Sequence, residues 1–233
     1  MDIEAHIITL SGNEISRKGS ETCIESSKAV GNDFEVNVFE ATHMDDVGVY
    51  LIEHNLEWNY PWEGSVVDFA TGLTKSAYRT THPGARVACS ISHYRLWKAC
   101  AHGAAAYLVL EHDAIFTAKL DTNIIENDRF KIIGINNPLY ATRKSRDYAY
   151  AINSAKSRDI LPVPTIDKHD VPQGLAGNSA YIIKPSGAQQ MLKLVEQYGL
   201  WPNDALMCKQ LVKGLGVTRK YYTRVQGLPS TTT

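Results

Sequence analysis

The sequence predicts an α/β fold, with a mostly parallel central sheet flanked by helices. Three observations carry that prediction. An apolar run at 6–10 is followed by a polar stretch of helix length and a second alternating run at 34–39. This is the strand–helix–strand order whose crossover is right-handed and parallel. A further apolar run, 106–110, is too short for a typical helix and suits a strand covered on both faces. The last run, Ala180-Tyr181-Ile182-Ile183, leads through Lys184-Pro185-Ser186-Gly187 into a helical stretch that Gly199 stops.

The chain has 233 residues, 44% of them apolar and 21% charged, enough to bury a substantial core as a single domain over 1–233. A net charge of -1 gives no overall attraction to nucleic acid or to an anionic lipid surface. No apolar run reaches the ~20 residues of a membrane span. Met1-Asp2-Ile3-Glu4 is acidic where a signal peptide would be basic, so the expected location is cytoplasmic. Cys23, Cys89, Cys100 and Cys208 form no C-x-x-C pair, and reduced thiols are expected. The phosphate-loop, nucleophile-elbow, H-E-x-x-H and dinucleotide fingerprints are all missing.

In chain order, a first helix is predicted from Glu14 or Ser16 to Val30, after the turn Ser11-Gly12-Asn13. A nucleotide would meet helix amides at that turn. A second helix is predicted over 45–56. From Glu57 to Pro83 the pattern weakens, and Trp58, Tyr60, Trp62 and Phe69 alternate with Pro61, Gly64 and Gly72. This is a loop over the domain or an aromatic surface for a ring-shaped ligand, although burial is the commoner fate of tryptophan. Ser90 or Ser92 is expected to cap a helix that a left-handed Gly103 ends. A strand is predicted at 130–135. The stretch 140–159 carries Arg143, Lys144, Arg146, Lys156 and Arg158 among tyrosines. It reads as a solvated hairpin in preference to a mobile phosphate-contacting loop. Residues 161–164 and 170–172 read as irregular and extended, and a last helix is predicted over 205–213.

The chemistry concentrates where the 106–110 strand ends, in Glu111-His112-Asp113. Ligands of open α/β sheets bind outside the carboxyl ends of the strands, and two carboxylates there suit Mg²⁺ or Mn²⁺. A buried strand also needs a polar exit, so this pair alone does not decide its role.

Longer segments carry more. Cys89-Ser90-Ile91-Ser92-His93-Tyr94-Arg95-Leu96-Trp97 resembles the Gly-Cys-X-X-Ser-His-Tyr-X-X-Trp segment of glycosyltransferase family 25, the lipooligosaccharide and collagen galactosyltransferase-like enzymes. Leu108-Val109-Leu110-Glu111-His112-Asp113 is similar to that family's strand ending in Glu-Asp-Asp. Ala180-Tyr181-Ile182-Ile183 with Gly187-Ala188, and Pro202-Asn203-Asp204, resemble its Tyr-Leu-Ile strand, Gly-Ala helix start and Pro-Val-Asp. Ile8-Thr9-Leu10 and Arg17 weakly match its Asn-Leu…Arg opening. His112 stands where the family has its middle Asp, Arg86 where an acidic residue is common, Ala88 for Gly and Thr9 for Asn.

The resemblance implies a GT-A type nucleotide-sugar-binding fold, a UDP-sugar donor, Mn²⁺ or Mg²⁺, and inverting transfer of a hexose, galactose or glucose, to a hydroxyl of a glycan or glycoconjugate such as lipopolysaccharide. It implies Asp113 and His112 as metal ligands, and Asp204 as the base. Thr9, Leu10, Arg17, His93, Glu111 and Asn178 become donor-site residues, Glu111 at the ribose, His93 and Arg17 near the diphosphate. Asp204 also falls at a predicted helix start, which lowers a carboxyl pKa while burial raises it. The alternatives are a weak or inactive nucleotide-sugar- or glycan-binding module, and a nucleotide-sugar hydrolase.

Overall fold

The computed structural model describes residues 1–141, 144–155, 159–229 and 231. In chain order these form β1 (Ile3–Thr9), α1 (Glu14–Ala29), β2 (Val36–Glu40), α2 (Val47–Glu53), β3 (Ser65–Asp68), β4 (Leu73–Ser76) and α3 (Pro83–His102). Then come β5 (Ala106–Glu111), β6 (Ala114–Phe116), β7 (Ile132–Gly134), α4 (Ser145–Asn153), β8 (Ile160–Pro162) and β9 (Ala180–Ile183). The last elements are α5 (Pro185–Tyr198), α6 (Asn203–Leu206), β10 (Leu215–Thr218) and β11 (Thr223–Val225).

The central sheet has seven strands in the order β2-β1-β5-β9-β7-β10-β8. β1 pairs in parallel with β2 and β5, and β10 with β7. β9 is antiparallel to both β5 and β7, and β8 is antiparallel to β10. Five strands therefore share one direction and β9 and β8 oppose it, the mostly parallel α/β sheet expected. Side chains alternate across it. Val109 joins Ile91, Trp97, Met191 and Trp201 on the α3–α5 face, while Leu108 and Leu110 join Cys23, Ile133 and Ile182 on the α1 face. Covering both faces is what makes β5 and β9 nearly continuous apolar runs. Among the described residues, no helix is long and apolar enough to cross a membrane.

α1 begins where expected, because the Asn13 side chain accepts the Ser16 amide hydrogen (3.0 Å). It ends before Gly31, whose φ of 76° suits glycine. The α3 expectation needs correction. Ser90 and Ser92 do not cap it but lie in its interior, both buried. Their hydroxyls donate to the carbonyls of Arg86 (3.3 Å) and Ala88 (2.8 Å). The helix instead starts on Pro83, whose missing N–H costs nothing in a first turn. Gly103 does end it, yet in an extended conformation (φ −90°, ψ 177°), not a left-handed one.

Three further segments differ from expectation. The predicted hairpin at 140–159 contains the helix α4, because Tyr148, Ala149 and Ile152 share a buried face. Arg143, Lys156 and Arg158 lie outside the described residues. The helix predicted over 205–213 stops at Leu206, after which Lys209 N donates to Gln173 O (2.9 Å) and Gln210 Oε1 accepts from Gln173 N (3.0 Å). A tertiary partner thus captures the Lys209 amide that helix continuation would have used. Residues 160–162 are an edge strand, where proline is tolerated, and the weak region 57–83 holds the β3–β4 hairpin.

Candidate functional site

A cleft of about 1530 Å³ opens where β1 and β5 end and β9 begins. The reversed direction of β9 brings Ser179 beside the end of β5, and Glu111 N donates to Ser179 O (2.8 Å). Residues far apart in sequence, 111–113 and 178–179, therefore line one edge of the cleft.

The floor is held by a buried relay. Trp97 Nε1 donates to the Tyr181 hydroxyl (2.8 Å), which bonds His93 Nδ1 (2.9 Å), while His93 Nε2 bonds Glu111 Oε1 (3.1 Å). Indole is only a donor. The tyrosine hydroxyl therefore accepts from Trp97 and gives its own hydrogen to Nδ1. That leaves Nε2–H to donate to Glu111, an assignment made from the network. Burial holds the Tyr181 hydroxyl far above the usual phenol range, so it keeps its proton. Burial is the largest influence on Glu111 and pushes it up, but the hydrogen bond and charge of His93, with His112 and Asn203, together outweigh it, and the carboxyl lies below its usual value. Glu111 is thus a fixed anion at the strand end.

Asp113, two residues on, behaves oppositely. Burial, then the Glu111 charge, raises its pKa to about 6. Its Oδ1 is buried without a hydrogen-bond partner, which is costly for a carboxylate unless something else satisfies it. A divalent cation would satisfy that oxygen, since Mg²⁺-type sites often use one or two carboxylates with substrate phosphates. Burial lowers the His112 pKa against the pull of Glu111, leaving a neutral imidazole beside it. Among the described residues the three-residue group of ligand type is Cys89, His93 and Glu111, with atoms within 4.8 Å. Both His93 nitrogens are already engaged, and burial pushes the Cys89 thiol well up, so this group is a hydrogen-bonded floor.

Asp204 stands in the first turn of α6 and lines the same cleft. The Tyr78 hydroxyl donates to its Oδ2 (3.1 Å). Burial raises its pKa, Arg86 and the Tyr78 hydrogen bond pull it down, and burial prevails. The upward pull of burial foreseen for this residue prevails, although the main opposition comes from Arg86 and Tyr78 and not from the helix start. Tyr78 stacks on Tyr60 at 5.8 Å, and the Arg86 guanidinium lies 5.1 Å from the Tyr78 ring centre.

The other expected residues divide. Leu10, His93, Glu111 and Asn178 line the cleft with His112 and Asp113. Asn178 is 6% exposed, and neither its Oδ1 nor its Nδ2 has a partner. Thr9 does not line the cleft; its hydroxyl bonds Ser20 (2.6 Å) and ties β1 to α1. Arg17 is exposed on α1, also away from the cleft lining. Sequence reasoning gave no role to Tyr78 or Arg86. Arg86 was findable, because 86, 89 and 93 share one helical face at i, i+3 and i+7. Tyr78 carries no local signal.

A family model described as glycosyltransferase family 25 (LPS biosynthesis protein) matches residues 64–207. No curated protein matches the chain. Among solved structures, it is similar to an active-site mutant of LgtC at 14% identity, covering 93% of this chain and 72% of that one, with a TM-score of 0.44. The galactosyltransferase LgtC with donor and acceptor sugar analogues gives 14% identity, 93% and 73% coverage, and a TM-score of 0.42. Mouse xyloside xylosyltransferase 1 in its apo form gives 11%, 88% and 80%, and 0.37.

Proposed function

Because the chain belongs to glycosyltransferase family 25, we propose that it moves a hexose, galactose or glucose, from a UDP-sugar to a hydroxyl of a glycan or glycoconjugate, inverting the anomeric carbon. We take 1–233 as one such domain, working in the cytoplasm. The family description as LPS biosynthesis supports a lipopolysaccharide-type acceptor. The observation that carries the reading is the pairing, in one cleft, of a carboxyl with a raised pKa, Asp204, and an orphaned carboxylate oxygen, Asp113 Oδ1.

In this mechanism the donor nucleotide lies at the ends of β1 and β5, where Leu10 gives an apolar contact and Glu111 accepts from a ribose hydroxyl. The His93 hydrogen bond fixes the Glu111 carboxylate in that role. Asp113 and His112 would hold Mn²⁺ or Mg²⁺, and such a cation supplies charge stabilisation for the leaving diphosphate. Asn178 offers a paired donor and acceptor to sugar hydroxyls. Asp204 removes the proton from the acceptor hydroxyl as that oxygen attacks, and a pKa raised toward working pH suits a general base. The Tyr78 hydrogen bond holds the carboxylate in place while leaving Oδ1 for the proton.

The test is a panel of nucleotide-sugars with Mn²⁺, Mg²⁺ or EDTA, with and without glycan acceptors. UDP release that depends on an acceptor supports transfer. Release without one points to hydrolysis, and binding without release under any metal points to an inert module. Asp204→Asn should lower kcat by about 10²–10⁴ with UDP affinity kept. An unchanged kcat refutes the base assignment.

A further inference from the structure

The cleft has an acidic floor but a basic rim. Along one face of α3, His93, Cys89 and, one turn nearer the amino end, Arg86 all line the cleft. Arg79 and His82 line the same side. No acidic residue falls in the first turn of α3, and among the described residues neither Arg79 nor Arg86 forms an ion pair within 4 Å.

Arg86 is the best defined of these groups. Its guanidinium lies over the Tyr78 ring, and Nη2 makes a single long contact to Arg79 O (3.5 Å). Nε is buried with no partner at all. A guanidinium presents a rigid fork of five donors suited to bidentate carboxylate or phosphate binding. Here most of that fork is unspent and faces a cleft. Its position selects which anion. The ring beneath it belongs to Tyr78, whose hydroxyl holds Asp204. Arg86 therefore stands on the side of the proposed base, where the attacking hydroxyl must sit.

We propose that Arg86, with Arg79 beside it, forms an anion subsite for the acceptor, so that the acceptor sugar carries a phosphate or carboxylate near the hydroxyl that is glycosylated. The inference rests on the reading of Asp204 as the base, and it narrows the acceptor class from any glycan to an acidic one. An anion held against Arg86 also offsets the pull of the guanidinium on Asp204, so a bound acidic acceptor leaves the carboxylate a stronger base than the empty site does.

The experiment separates acceptor from donor. UDP affinity is measured first, with Mn²⁺, in the wild type, Arg86→Gln and Arg86→Lys. The UDP-saturated proteins are then titrated with galactose, galactose 6-phosphate and galacturonic acid by calorimetry. In the wild type at least one of the two acidic sugars should bind about ten-fold or more tighter than galactose, the scale of a charge-assisted bidentate contact. Arg86→Gln should abolish that preference with UDP affinity unchanged, and Arg86→Lys should keep part of it. Equal binding of neutral and acidic sugars in the wild type overturns the proposal. So does an Arg86→Gln variant that loses UDP affinity and keeps the acidic preference, which would assign the charge to the donor diphosphate. If UDP does not bind the wild type, the donor reading fails separately, and the same sugar titrations on the free protein still decide the subsite.

Discussion

Replacing Tyr181 by Phe is the sharpest test of the relay under the cleft. Tyr181 is fully buried, and its hydroxyl serves two neighbours, accepting from Trp97 Nε1 (2.8 Å) and bonding His93 Nδ1 (2.9 Å). Phe preserves the ring and its packing, so the change isolates one oxygen. Both partners would be left buried and unpaired, His93 being fully buried and Trp97 1% exposed, and each such loss costs about 1–3 kcal/mol. We expect a total near 3 kcal/mol, roughly a 6–12 °C fall in Tm for a chain of this size. Urea unfolding should give a lower midpoint with an unchanged slope. Trp97→Phe alone should also destabilise, and the double variant should cost less than the sum, because the two changes remove one shared bond. A loss for Tyr181→Phe below about 0.5 kcal/mol, the range of neutral surface changes, would refute the relay as a structural unit.

Other outcomes follow from the same geometry. Tyr78→Phe removes a bond that lowers the Asp204 pKa, so the acid limb of the kcat profile should move to higher pH; a fixed limb separates Tyr78 from the base. Asp113, with a pKa of about 6 in the fold against an ordinary 3.8, must lose a proton to take a cation, so Mn²⁺-dependent UDP binding should weaken as pH falls through about 6. Because its folded pKa is raised, the cation-free protein gains stability from this group as pH falls through that window. The stability of wild type relative to Asp113→Asn should therefore rise between about pH 7 and 5, and a flat difference would contradict the shift. Gly19→Ala should destabilise despite a helix-propensity gain of about 1 kcal/mol, since the added Cβ would lie 2.5 Å from His112 O; a raised Tm would show that the turn can retreat.

The readable parts of this fold were those whose cause is local. Asn13 and Gly31 mark the ends of α1, and the runs at 106–110 and 180–183 are strands because both sheet faces are covered. The direction of β9 was not readable, since a strand reversed between two parallel partners has the same composition as one that is not. β10 and β11 were missed for a similar reason: three or four residues acquire their state only from partners at 132–134 and 114–116. The start of α3 was misplaced because serines within a helix can bond backward to carbonyls and mimic caps. Of the residues named from the sequence, Glu111, His112, Asp113, Asn178 and Asp204 line one cleft. Thr9 and Arg17 followed the weakest segment of the resemblance, and they lie off it.

One residue far along the chain clasps the turn at one edge of that cleft. Gln226 donates through its backbone N to Asp113 O (2.7 Å), and through Nε2 to the carbonyls of Gly19 (2.9 Å), His112 (3.2 Å) and Ala114 (2.8 Å). It lies beyond the family match, which ends at residue 207. During synthesis the turn at 112–114 must wait for more than a hundred further residues before its clasp arrives. A fragment trimmed to 64–207 would lack that clasp as well as β1. The loop bearing the two proposed metal ligands is thus among the last parts of the molecule to settle.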